Sequence, residues 1–289
     1  MDLDGRVRWS VKTHQRGWRF EDTLHLWQAA EELGFHAAYL NDHLYGSSLE
    51  TWSTLSALFV STKRIRGGTM VTSNSFRHPA LLAKATATVD VISGGRLVVG
   101  LGAGNEQHEY DAYGLRFPPP GERVARLEET CRILRQAWTE ERVDLDGEFH
   151  TLRGAEFEPK PVRPGGPTLV LGVKGDRALG VAARHADEWN WNRGQARTEE
   201  FLERMDRLDA LCARAGRDPD TLPRGVGFRR LKSLLDRGDE DWDDVVDVTR
   251  RSIRRGASQV VLMFDRPEDV EDEITFYSEK FIPAVMAGV

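Results

Sequence analysis

Residues Gly68–Gly104 read GTMVTSNSFRHPALLAKATATVDVISGGRLVVGLGAG, and this stretch decides the fold. Gly68–Thr72 is a short apolar strand that runs into the polar turn Ser73-Asn74-Ser75. Phe76-Arg77-His78-Pro79 opens an alanine-rich helix, which stops at Ser93-Gly94-Gly95. A second strand, Leu97–Leu101, then enters a glycine-rich turn. Strand, helix and strand in so short a span make a βαβ unit, and such units need parallel strands. Polar and cationic residues collect after the strands, at the carboxyl ends where α/β sheets and barrels bind ligands.

Outward from this unit the alternation continues. Strands are expected at Arg6–Val11, Phe35–Leu40, Ile65–Thr72, Thr168–Gly172, Glu188–Asn192, 224–230 and Gln259–Phe264. Helices are expected at Glu21–Leu33, Thr51–Ser61, Glu122–Glu140, Asp176–His185, Glu199–Ala215, Asp241–Arg255 and Val270–Ala287. The clearest is 122–140, where Val124, Leu127, Cys131, Leu134 and Trp138 recur at spacings of three and four. Gly102–Gly121 reads as a long turn, and 143–160 alternates around Asp146-Gly147 as a hairpin excursion. About eight strands alternating with helices predict a (β/α)8 TIM-like barrel with insertions at the carboxyl-end loops, one domain over 1–289.

The chain has 289 residues, 40% of them apolar, with no run of the ~20 apolar residues a membrane span needs. A net charge of −6 speaks against a nucleic-acid surface. Cys131 and Cys212 are far apart and sit in helical patterns, so they read as buried thiols. MDLDGRVRWS lacks the basic and apolar regions of a signal peptide, and a cytoplasmic setting is the simplest expectation.

Several residues carry possible chemistry. His43 ends a strand beside Asp42, and an imidazole titrating near neutral pH suits proton transfer. Asp42 is then the expected acid to orient the ring, and the same dipeptide also suits a solvated turn. Gly102-Ala103-Gly104-Asn105-Glu106 follows a strand without the GxGxxG of a Rossmann loop. Gly172-Val173-Lys174-Gly175-Asp176 opens a helix, where backbone N–H groups and Lys174 can hold a phosphate, or Asp176 can simply cap. Trp189 and Trp191 alternate with Asn190 and Asn192, so one pair faces the core and the other can face a pocket. Asp42, His43, Glu106 and His108 lack HxH or HExxH spacing, so no metal is expected.

Four segments together resemble the bacterial-luciferase-like superfamily of flavin and deazaflavin oxidoreductases, closest to the branch using coenzyme F420. They are Asp42-His43; residues 68–114; FPPPGERVARLEE at 117–129; and EPKPVRPGGPTLVLGVKGDRALGVAARHADEWN at 158–190. The resemblance implies F420 as cofactor, FMN with O2 being the alternative, with the ring deep in the barrel mouth. It implies a small organic substrate, and whether the chain pairs as a homodimer is left open. His43 and Glu106 would be catalytic, although Asn105 stands where some relatives place a glutamate, and Glu109 is a further candidate. Asp42, Met70, Val71, Thr72, Asn74, Gly102, Ala103, Gly104, Asn105, Gly172, Val173, Lys174 and Gly175 would hold the cofactor. A non-prolyl cis peptide is implied at or beside Met70-Val71. Arg77, Lys174, Arg177 and Arg193 are the expected partners of the anionic F420 tail.

Overall fold

The computed structural model describes residues 7–44, 46–191, 198–229, 231–238 and 241–289. Eight parallel strands close into a barrel. In chain order they are β1 (Arg8–Thr13), β2 (Ala37–Leu40), β3 (Arg66–Ser73), β4 (Leu97–Gly102), β7 (Thr168–Leu171), β8 (Glu188–Trp191), β9 (Arg224–Arg229) and β10 (Ala257–Phe264). β5 (Arg142–Asp146) and β6 (Thr151–Glu156) form a separate antiparallel hairpin. The expected barrel and both irregular segments are therefore present.

Helices α1 (Phe20–Glu32), α2 (Thr51–Ser61), α3 (Pro79–Ser93), α5 (Pro120–Thr139), α6 (Asp176–His185), α7 (Thr198–Arg214) and α9 (Trp242–Arg254) fill the connections. Their ends follow local rules. Pro79 occupies the first turn of α3, where its missing N–H costs nothing, and Gly94 closes the helix at φ 65°. The buried face of α5 includes Leu127, Cys131, Leu134 and Trp138, as its periodicity predicts. One apolar cluster runs from Val7 to Val285 between barrel and helices. Both cysteines lie buried, and burial pushes the Cys131 thiol up to about 12. Among the described residues no helix is long and apolar enough to cross a membrane.

Three readings need correction. The 102–121 turn contains a helix, α4 (Gln107–Ala112), whose buried face is Glu109 and Tyr110. An acid on the inner face hid it from hydrophobic periodicity. A second short helix, α8 (Leu231–Asp236), follows β9. The final helix is also not continuous. α10 (Val270–Phe276) passes through a π-helical turn, Tyr277–Phe281, into α11 (Ile282–Met286). Pro283 lies at the start of α11 and cannot donate the i→i−4 bond, so the ladder shifts there.

β3 and β4 approach unusually closely. A Cβ on Gly68 would lie 1.7 Å from the Val98 carbonyl oxygen, and one on Gly100 would lie 2.0 Å from that of Thr69. Just after these contacts the pairing shifts register, between Thr69 and Thr72, and the Met70–Val71 peptide is cis, as the resemblance implied.

α10 also carries a buried acid. Glu273 Oε2 has no hydrogen-bond partner among the described residues. Burial first, then Asp269 and Asp265, push its pKa from 4.5 up to about 8, against an opposing pull from Lys232. A carboxyl raised in the folded state stabilises fully below pH 4.5 and loses that contribution as pH climbs to about 8. Glu273→Gln should therefore melt above the wild type at pH 8, with the gap closing near pH 4.5. Circular-dichroism melts at both pH values test this, and a gap of the same size at both would refute it.

Candidate active site

A cavity of about 1050 Å³ opens at the carboxyl ends of the strands. That is large enough for a cofactor ring together with a small substrate. One wall comes from β3, β4 and the turn after β7: Met70, Val71, Gly102 and Gly172. It is packed backbone to side chain, since a Cβ on Gly102 or Gly172 would meet Val71 methyls at 2.7 and 2.6 Å. The result is a smooth, uncharged face. Gly104 has a different constraint, a φ of +79° with the Tyr110 hydroxyl 2.2 Å from where a Cβ would stand. That hydroxyl hydrogen-bonds Ser73 Oγ, and the Tyr110 ring is flanked by Phe76 and Phe117. α4 is thereby fastened over the end of β3.

His43 follows β2 and lines the cavity. Its Nδ1 lies 2.7 Å from Glu109 Oε1 of α4, and Glu109 Oε2 accepts the Leu44 N–H at 2.9 Å. Glu109 is 2% exposed. A buried carboxylate held by two donors fixes the imidazole with its proton on Nδ1 and its lone pair on Nε2. Such a ring can accept a proton at Nε2, with the resulting cation stabilised by Glu109. His14, at the end of β1, stacks against His43 with centroids 6.3 Å apart. Burial, then Arg229, hold the His14 pKa down at about 4.

The expected orienting acid was Asp42, but its carboxylate is taken by Thr72 Oγ1 and Arg77. Arg77 also binds Glu50 at 2.7 Å and does not line the cavity, so it is not placed to meet a cofactor tail. His78 is likewise engaged as the cap of α3. Thr72 and Asn74 stand behind the wall: Thr72 braces Asp42, and Asn74 Nδ2 reaches the Arg123 carbonyl at 3.4 Å. Glu106 lines the cavity at its exposed rim and accepts from Asn105 Nδ2 at 2.9 Å. Asp42, Met70, Val71, Gly102, Ala103, Gly104, Asn105, Gly172, Val173, Lys174 and Gly175 all line the cavity. Val173 also turns its carbonyl to Trp189 Nε1 at 2.8 Å. Gly175, not Asp176, caps α6, while Asp176 pairs with Arg204 and Arg207. Asn192 and Arg193 lie outside the described residues.

Strand alternation places Trp189 and Trp191 in the core and turns Asn190 into the cavity. Both Asn190 amide atoms are buried without a partner among the described residues. Lys12, Arg229 and Met263 line the cavity as well, and their sequence context carried no signal, since each is one residue of an ordinary strand. Among the described residues no group of three or more His, Cys, Asp or Glu side chains could hold a metal ion.

The profile of the luciferase-like monooxygenase family matches residues 6–278. The chain is 30% identical to an F420-dependent glucose-6-phosphate dehydrogenase of Nakamurella multipartita, over 93% of this chain and 87% of that one. It is 34% identical to an F420-dependent hydroxymycolic acid dehydrogenase of Mycobacterium tuberculosis, over 68% of this chain but only 54% of that one. Among solved structures, an F420-dependent secondary alcohol dehydrogenase superposes with a TM-score of 0.81 at 20% identity, covering 97% of this chain and 99% of that one. A monooxygenase from Streptomyces bottropensis superposes with a TM-score of 0.78 at 21% identity, covering 96% and 99%. At such identities these structures speak to the fold alone. With its profile matched almost end to end, the chain belongs to the luciferase-like monooxygenase family.

Proposed function

We propose that the protein is an oxidoreductase that moves a hydride between coenzyme F420 and a small organic substrate. The observation that carries the reading is the opposition, within one cavity, of a smooth uncharged wall and a histidine fixed by a buried carboxylate. The F420-dependent relatives support the choice of cofactor.

The residues present fit a deazaflavin. The Met70–Val71 and Gly102/Gly172 wall offers a flat bed for a tricyclic ring. Asn190 offers an unpaired donor and acceptor of the kind a pyrimidine edge requires. Lys174, Arg177 and the Gly172–Asp176 turn at the start of α6 suit the phosphate and anionic tail. Bound there, a deazaflavin supplies the hydride acceptor or donor. His43 would hold the substrate oxygen at Nε2, taking its proton as the substrate is oxidised and returning it in the reverse direction. Glu109 keeps the ring in the right tautomer and balances the imidazolium. α4 and the aromatic set of Phe76, Tyr110 and Phe117 exclude water from one side.

Fluorescence titration of the purified protein should give tighter binding of F420 than of FMN, with the affinity for F420 falling as salt rises because the tail contacts lie at the rim. Tighter FMN binding would replace this reading by an FMN-dependent monooxygenase.

His43→Ala should leave F420 affinity nearly unchanged and lower single-turnover hydride transfer by roughly 10²–10⁴-fold, the usual contribution of a positioned acid or base. Glu109→Gln should give a smaller loss of the same kind, while Asp42→Asn should act mainly through stability, since Asp42 holds Arg77 rather than His43. Wild-type transfer rates in both His43→Ala and Glu109→Gln would sink the assignment.

A further inference from the structure

The cavity has two unlike walls. Opposite the uncharged wall stand β1, β10 and β9. Lys12 of β1 is in register with Met263 of β10, and Met263 with Arg229 of β9. Registered partners on parallel strands project to the same side, so the three side chains form one row about 10 Å from end to end. All three line the cavity.

The two cations in this row differ. Arg229 is half-exposed at the mouth and has Asp265 Oδ1 at 3.6 Å. Lys12 is 1% exposed, and no hydrogen bond or ion pair joins its ammonium to any described residue. Burying an unpaired ammonium is costly. A methionine like its neighbour Met263 would fill the same volume without that cost, so packing alone does not account for a lysine here. Of the groups facing Lys12 only Asp265 is an acid, and it lies against Arg229. Burial, then Arg229, with a smaller push from Lys174, hold its pKa down at about 7, and Asp265 only partly offsets them. His14, next along the end of β1, is neutral at working pH, and burial holds Tyr39 on the β2 side protonated, its pKa pushed up to about 12. The cavity therefore contains a deep amine, only partly charged near neutrality and with no anion bonded to it among the described residues, in the same cavity as the His14–His43 pair.

We infer that Lys12, with Arg229 beside it, anchors a carboxylate of the substrate, so that the site takes small organic acids in preference to neutral alcohols or ketones. The identification of that carboxylate with the reacting molecule rests on the proposed hydride-transfer reading; the anion site itself does not. A carboxylate can bridge a point-charge ammonium and the fork of a guanidinium, each oxygen taking a charge-assisted bond. It would lie across the cavity from the ring wall, with its carbon chain directed towards His43. Its arrival restores the lysine's affinity for a proton, so binding above neutrality takes up protons from solution.

Calorimetry on the full chain, with and without F420, separates the outcomes. The probes are acetate, lactate and the neutral propane-1,2-diol, each titrated at pH 7.5 in two buffers of different ionisation heat. We expect the carboxylates to bind and the diol not to, with net proton uptake. Lys12→Met should weaken the carboxylates on the order of tenfold or more and abolish the uptake, and Lys12→Arg should retain most of the affinity. Lys12→Met should also melt no lower than the wild type, because it removes an unpaired buried charge. Equal carboxylate affinity in Lys12→Met, equal affinity of wild type for the diol, or the absence of any heat with either carboxylate would overturn the proposal. So would a loss of F420 affinity in Lys12→Met with carboxylate binding intact, which would make the lysine a cofactor ligand. Should Lys12→Met fail to fold, Arg229→Gln read on the same titrations must weaken the carboxylates and spare the diol. An F420 titration of the wild type stands apart: no F420 binding alongside intact carboxylate binding would refute the cofactor reading alone.

Discussion

The closeness of β3 to β4 governs the rest of the molecule. At Gly68 and Gly100 any side chain would collide with the main chain of the neighbouring strand. The two strands can lie this near only because neither position has a Cβ. The approach turns Val71 towards the turns after β4 and β7, where Gly102 and Gly172 leave room for its methyls. One side of the barrel mouth thus becomes a smooth surface without charge, and the polar groups of the cavity stand around it, on the other strands, on α4 and α5, and further along the turns that follow β4 and β7. The division of the cavity into an uncharged wall and a polar one is a consequence of backbone packing before it is a matter of chemistry.

Much of the fold was legible in the sequence because barrel strands and helices obey local rules. Thr51–Ser61 and Asp176–His185 have the bounds their periodicity predicts, and Gly94 stops α3 where a left-handed residue was needed. The elements that escaped were those where local pattern and tertiary role conflict. α4 buries a glutamate, so its inner face does not look apolar. The π-helical turn depends on Pro283, a residue that in sequence is compatible with a helix start as well as a break.

The site was legible in a narrower sense. His43 could be found because a polar residue at a strand's carboxyl end faces the mouth of a barrel. Its partner could not. Adjacency suggested Asp42, yet consecutive residues leaving a strand point in different directions, and the carboxylate that meets the imidazole comes from 66 positions later in the chain. Arg77, expected at the cofactor tail as a cation at a helix start, is instead engaged outside the cavity by Asp42 and Glu50, which no local pattern brings together with it. Lys12 escaped because a single lysine within a strand ordinarily marks a solvated face, and only the closure of β1 against β10 and β2 shows which face is inside.

Charge is unevenly placed around the cavity. Among its buried acids Asp42 is matched by Arg77, while Glu109 is held by the His43 and Leu44 N–H groups, and at the rim Asp176 is matched by Arg204 and Arg207. The lining cations Lys12, Arg123, Lys174, Arg177 and Arg229 outnumber the lining acids Asp42, Glu106, Glu109 and Asp176, in a chain whose net charge is −6. A positive concavity in a negative protein focuses field lines inward and draws anions to it, in a low-dielectric setting where each charge counts for more than at the surface. The cations also differ in depth, Lys174 and Arg177 at the start of α6 and Lys12 inside the barrel, so the cavity can hold two anionic groups without bringing them together. A cofactor with an anionic tail and a substrate with an anionic head suit that division, with the uncharged ring bed and His43 between them.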